Sequence, residues 1–150
     1  MTADPSVRMH SAEHLLNQTM VRLLGCRRCF SAHINKKKSK CDYRFHRMLT
    51  GEELREIETR VNQVIQDDLP VTLAFVSPKE AEENFNIERV PDGDELEQFR
   101  IVHMGDYDAC PCIGTHVGST AEINGFRIIS ADFNDDVLRI RFKLCRLDGQ

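Results

Sequence analysis

Apolar residues Leu15, Leu16, Met20, Leu23 and Leu24 recur at three- and four-residue steps, which predicts a helix over residues 10–24 stopped by Gly25. Downstream the period changes to two. Cys41, Tyr43 and Phe45 alternate with polar neighbours, so residues 28–34 and 41–47 read as paired strands turned by the polar run from Ile34 to Lys40. Thr50-Gly-Glu-Glu53 has the pattern of a capping box, in which the threonine hydroxyl and the glutamate carboxylate satisfy free amides. The helix it opens buries Leu54, Ile57, Val61, Val64 and Ile65 and ends before Pro70. Val71–Val76 predicts a strand, and Ser77-Pro-Lys-Glu80 a second helix start with proline in the first turn. Phe99–Met104 reads as a short strand. Phe126–Phe133 and Val137–Cys145 read as an antiparallel pair turned at Asn134-Asp-Asp136. Helices early and strands late give an α+β class, an antiparallel sheet with helices packed on one face, in one domain over 1–150.

Composition narrows the class. Of 150 residues, 41% are hydrophobic and 29% charged, which is a globular balance large enough to bury a core without staples. No apolar run reaches the roughly 18 residues of a membrane span, and the opening segment through His10 has no apolar signal core. The expected location is therefore the cytoplasm. There, six cysteines beside six histidines serve as reduced thiols or metal ligands rather than as disulfides.

Charge is unevenly distributed. From Arg22 to Arg47 nine basic residues face one acid, giving +8, while the rest of the chain carries −12. Lys36, Lys37, Lys38 and Lys40 make this segment either a solvated turn or a phosphate-neutralising patch.

Two short motifs carry the chemistry. His10-Ser-Ala-Glu-His14 places two imidazoles one helical turn apart on the same face. Cys112-Ile-Gly-Thr-His116 follows Pro111 and contains Gly114, so a turn can bring its thiolate and imidazole together. Three histidines and one cysteine suit Zn²⁺. Two other assignments compete. Cys26-Arg-Arg-Cys29 with Cys110-Pro-Cys112 would form a four-cysteine structural site, and His10 to His14 also reads as H-x-x-E-H with Glu13 as the general base of a metallopeptidase. A thioredoxin-like reading of Cys26 and Cys29 lacks its βαβ context. His33, His46 and His103 read as strand or surface residues.

His10-Ser-Ala-Glu-His14-Leu-Leu followed about a hundred residues later by Cys112-Ile-Gly-Thr-His116-Val resembles the editing domain of alanyl-tRNA synthetase and its free-standing AlaX-type trans-editing relatives. The threonyl-tRNA synthetase editing domain is a more distant cousin. The likeness runs from about residue 5 to 145, through Ser31-Ala-His33, Cys41-Asp42-Tyr43, Leu54 to Val71, Phe99 to Gly105 and Phe126 to Ser130. Ile113 stands where the family usually has a first glycine.

The resemblance implies zinc ligands at His10, His14, Cys112 and His116, with Cys110 a nearby competing thiol. It also implies the short form of the family, without the N-terminal barrel of longer relatives. The implied activity is hydrolysis in trans of the ester on mischarged tRNA, most readily seryl- or glycyl-tRNA(Ala). His10, His14 and Thr115 would stand at the catalytic centre. Ser31 and Gly114 would contact substrate, and Lys36, Lys37 and Lys38 would grip the acceptor end. Four protein donors close a tetrahedron, as structural sites do. Hydrolysis then requires a departing ligand, a fifth position, or an ion that only positions substrate, and the sequence leaves these open. A non-catalytic, zinc-stabilised RNA-binding module is the alternative.

Overall fold

The computed structural model describes residues 4–85 and 97–146. The single-domain reading of 1–150 runs beyond these residues at both ends and across 86–96.

The first helix, α1, spans Pro5–Leu24 and so begins a turn and a half before the predicted start. Asp4 caps it by accepting from the Ser6 amide, Pro5 occupies the first turn, and Gly25 closes it in the left-handed conformation. The starting signals precede the first periodic leucine, so hydrophobic spacing alone misses them. Met9, Ala12, Leu15, Leu16 and Met20 are buried along its length.

Strands β1 (Ser31–His33) and β2 (Ser39–Arg44) form the expected hairpin, with Ser31 opposite Asp42 and the lysine run as its turn. Helix α2 (Gly51–Gln66) has the capping box, with Thr50 accepting from the Glu53 amide and Glu53 accepting from the Thr50 amide. Strand β3 (Val71–Val76), helix α3 (Pro78–Asn84) and strand β4 (Phe99–Met104) fall where the pattern puts them. Strand β5 (Asp108–Pro111) is not expected from sequence, because four residues ending in proline carry no alternation to read. A 3-10 turn at Thr120–Ile123 precedes β6 (Gly125–Asn134) and β7 (Val137–Cys145). Asp135 and Asp136 both take positive φ at the β6–β7 turn, as a two-residue hairpin of the right twist requires.

The class is α+β, as predicted, and the strands divide into two antiparallel sheets rather than one. The first runs β1-β2-β7-β6 and the second β3-β4-β5. One continuous core of α1, α2, the larger sheet and part of β4 joins Leu15, Leu16, Tyr43, Ile57, Val102, Ile140 and Phe142, while Ala81, Phe99 and Ile101 form a small second cluster. No helix among the described residues is long and apolar enough to cross a membrane.

Replacing Thr50 by Ala removes one arm of the capping box, and is expected to cost about 1 kcal/mol. Thermal melting should fall by about 2–4 °C in a chain of this size. An unchanged midpoint would mean the box adds nothing.

Candidate metal centre

Helix α1 is pinned by one of its faces. Ser11, His14, Gln18 and Arg22 follow each other at steps of three, four and four, so they share that face. Ser11 Oγ accepts from the Val117 amide at 3.0 Å, one residue beyond His116. Gln18 Nε2 donates to Asp108 Oδ1 at 2.9 Å. Arg22 donates to the Tyr107 carbonyl at 2.7 Å and lies over the Tyr107 ring. Thr19 and Tyr107 share a hydroxyl–hydroxyl bond of 2.6 Å. The helix is thereby fixed along its length to β5 and to the segments on either side of it.

That docking brings the two motifs together. One ligand atom from each of His10, His14, Cys112 and His116 lies within 4.8 Å of the others. His116 Nε2 and His14 Nε2 are 3.0 Å apart, and Cys112 Sγ and His10 Nε2 are 3.7 Å apart. A tetrahedral ion with nitrogen at about 2.0–2.1 Å and sulfur at about 2.3 Å needs edges of roughly 3.3–3.6 Å. The spacing and the donor chemistry therefore fit a metal ion.

The loop is shaped to this end. A Cβ on Gly114 would stand 2.4 Å from His10 Cε1, so only glycine lets the loop close over the imidazole. Arg100 on β4 donates to the Cys112 carbonyl at 2.8 Å and to the Gly114 carbonyl at 2.5 Å. The Gly114 amide points at Cys112 Sγ at 3.5 Å. Both polar groups of Gly114 are thus engaged within the protein. The side chain it lacks is what leaves room for His10.

Behind His14 lies a buried carboxylate. Asp108 Oδ2 is 3.4 Å from His14 Nδ1, a charge contact rather than a well-aligned hydrogen bond. Arg28 holds the same carboxylate at 2.6 and 3.3 Å. Burial works against the Asp108 charge, but His14 and Arg28 outweigh it and hold the carboxyl well below the usual range. Burial also opposes protonation of His14, yet Asp108 and Cys112 carry it up to about 9. Cys112 is brought down to about 3. Burial would raise it, and the contacts with His10, His116 and His14 and the Gly114 amide prevail. Burial, together with the charges of His14 and His10, lowers His116. The centre is a thiolate among imidazoles, which is the ionisation that metal binding requires of its sulfur.

Sequence reasoning misses Asp108, Arg28, Gln18 and Arg100. The only signal for Asp108 is an acid two residues after Asp106, in a stretch that reads as loop. Arg28 reads from sequence as one more member of the basic patch. Other members of that patch are also engaged: Arg47 pairs with Glu53 at 2.7 Å, Arg44 stacks on Phe30, and Lys40 is 3.9 Å from Asp42. Lys36, Lys37 and Lys38 are exposed. The lowered Asp4 carboxyl is held mainly by the Ser6 hydroxyl and amide, with Lys36 adding to the effect. The Lys36 charge thus reaches the N-cap of the helix that carries His10.

Thr115 is exposed between Gly114 and His116. Ser31 is exposed on β1, and among the described residues no hydrogen bond or ion pair joins Ser31 or the three lysines to the four donors. Cys110 lies apart from the four donors, its thiol directed at the Pro111 carbonyl, and burial pushes it up to about 12. The four-cysteine alternative separates as well, because Cys112 groups with the histidines and Cys29 with Glu13 and Cys41. Glu13, the general base of the metallopeptidase reading, is only 6% exposed and its carboxylate is 3.5 Å from the Cys29 sulfur.

Residues 99–141 match the family model described as the threonyl and alanyl tRNA synthetase second additional domain. The chain is 36% identical over 140 residues to the alanine–tRNA ligase of Aeropyrum pernix, covering 91% of this chain and 15% of the ligase. It is 34% identical over 138 residues to that of Methanopyrus kandleri, covering 90% and 15%. Against the Coxiella burnetii (strain Dugway 5J108-111) alanine–tRNA ligase it is 35% identical over 126 residues, covering 83% and 14%. The chain thus spans about one seventh of the length of these curated relatives.

Asp108→Asn keeps the shape and removes the charge behind His14. Metal affinity, read by competition with a chromogenic chelator, is expected to fall about 10–100-fold. Unchanged affinity would mean that Asp108 does not orient the ligand.

Proposed function

The chain belongs to the alanyl-tRNA synthetase editing-domain family, and from that premise we propose that it is a zinc-dependent aminoacyl-tRNA deacylase acting in trans. Its proposed substrate is the ester of seryl- or glycyl-tRNA(Ala). The observation that carries this reading is the meeting of His10, His14, Cys112 and His116, one ligand atom from each within 4.8 Å, in a chain similar to alanine–tRNA ligases over nine-tenths of its length.

An aminoacyl ester is already activated, so its hydrolysis needs a placed water and stabilisation of the developing charge. When bound, zinc supplies Lewis acidity that polarises a carbonyl and acidifies water. The protein's part is orientation. Asp108 aims His14, Gly114 makes room for His10, and Arg100 holds the carbonyls of the Cys112 loop. Thr115, exposed beside His116, would contact the substrate, and the Thr115 or Ser31 hydroxyl would read a hydroxyl on the amino acid. A site built for that hydroxyl disfavours an analogue lacking it, because its own polar group is left unpaired. Lys36, Lys37 and Lys38 would grip acceptor-stem phosphates, a sequence-blind and salt-dependent contact.

The four-donor set also favours a second reading, in which the ion stabilises a non-catalytic RNA-binding module. A deacylation panel of aminoacyl-tRNAs separates the two. The deacylase reading predicts turnover of seryl- or glycyl-tRNA(Ala), abolished on chelation and reduced about a hundredfold or more in His10→Ala. Tight tRNA binding with no ester cleavage would overturn it in favour of the module. Replacing Lys36, Lys37 and Lys38 by Ala should weaken tRNA binding, with log Kd changing less steeply with log salt by about 0.7–0.9 for each phosphate no longer neutralised. An unchanged slope would place the RNA surface elsewhere.

A further inference from the structure

Next to the four-donor centre lies a second convergence of donors. Glu13 comes from α1, Cys29 from the segment leading into β1, and Cys41 from β2, and their ligand atoms also lie within 4.8 Å of one another. Their exposures are 6%, 2% and 0%, so the group belongs to the interior rather than to a surface patch. We propose that Glu13, Cys29 and Cys41 form a second metal site, for a thiophilic d¹⁰ cation of the zinc class, separated from the first centre by a single carboxylate.

The carboxylate lies between the two groups of donors. The Cys29 thiol donates to Glu13 Oε2 at 3.5 Å, and Glu13 Oε1 is 3.5 Å from His10 Nε2. A buried carboxylate requires a cationic or strongly donating partner. Arg28, whose charge reaches Glu13, is held by Asp108 at 2.6 Å. A thiol is a weak donor, and a cation held by Glu13 and the two sulfurs takes the place of the Cys29 thiol proton with a full charge.

The frame around these donors is held in place. Asn17, one turn beyond Glu13 on α1, accepts from the Cys29 amide at 3.2 Å and from the Tyr43 hydroxyl at 2.8 Å. The Phe30 amide donates to the Asp42 carbonyl at 3.0 Å, and Ala32 pairs with Cys41 across the hairpin. Cys29 and Cys41 are therefore fixed by backbone bonds on either side. Two sulfurs and one carboxylate occupy three corners of a tetrahedron, and thiolate donors select zinc, cadmium or copper(I) over hard ions. Loading breaks two S–H bonds, forms two metal–sulfur bonds and releases two protons, with no change of oxidation state. The geometry distinguishes this site from the Cys26–Cys29 pairing suggested by spacing, since here Cys29 groups with Cys41 and Glu13.

The test counts ions on the full chain, prepared reduced and metal-free and then titrated with Zn²⁺ for native mass spectrometry and with Co²⁺ for near-ultraviolet thiolate charge transfer. Wild type is expected to take two ions and Cys41→Ser one. The double variant Cys112→Ser, His116→Ala, which dismantles the first centre, is expected to keep one ion with a two-thiolate cobalt signature. This variant decides the matter even if Cys41→Ser fails to fold. A wild type that takes one ion, a double variant that takes none, or a Cys41→Ser protein that folds and still takes two would overturn the proposal. A wild type whose one ion disappears in the double variant would leave the deacylase reading standing while this one falls.

Discussion

A single helical turn separates His10 from His14, and that turn sets where the rest of the centre must stand. Two imidazoles on one face of α1 define two corners of a coordination polyhedron. The other two must come from a segment a hundred residues away, held against that face within a few tenths of an ångström. The docking of α1 supplies this constraint. Ser11 holds the amide after His116, Gln18 and His14 meet Asp108, and Arg22 and Thr19 hold Tyr107. Asp108 is the central element of this contact. It is buried, it is charged, and it is shared by α1 and by Arg28 from the segment after it. Removing one partner from such a group leaves an uncompensated charge inside the protein, which is why position and ionisation are coupled here.

The same constraint explains features that look unrelated. Gly114 is a glycine because His10 occupies the space of its Cβ. Arg100 spends its guanidinium on two loop carbonyls, where it stiffens the segment between Cys112 and His116. Arg28 sits in the most basic stretch of the chain, yet serves the interior. The part of that stretch left for a partner is the exposed lysine turn between β1 and β2, whose Lys36 charge reaches the N-cap of the helix that bears the centre. The proposed deacylase reading draws on this combination of a four-donor centre and exposed lysines.

Much of this is legible in the sequence, for identifiable reasons. β3, β4 and β7 coincide with their predicted spans, and the hairpin of Ser31 and Asp42, the Thr50 box and the Ser77 cap are visible because period and capping chemistry are local. The pairing of His10 and His14 is visible for the same reason. β5 is not, since Asp108 to Pro111 is too short to alternate. The division of the strands into two sheets is not, since pairing is decided by the core rather than by any one strand. Asp108 and Arg100 are not, since a residue that positions another's ligand carries no motif of its own. The group of Glu13, Cys29 and Cys41 is hidden similarly: spacing pairs Cys29 with Cys26, whereas the fold sets it, from the segment before β1, beside Cys41 on β2.

The most direct test of the central claim is a crystal structure of the zinc-loaded protein with an anomalous difference map at the zinc edge. The account predicts a peak enclosed by His10, His14, Cys112 and His116, at about 2.0–2.1 Å from each nitrogen and about 2.3 Å from the sulfur. A map with no peak among these four side chains, or with His10 and His14 turned away from Cys112 and His116, would contradict it.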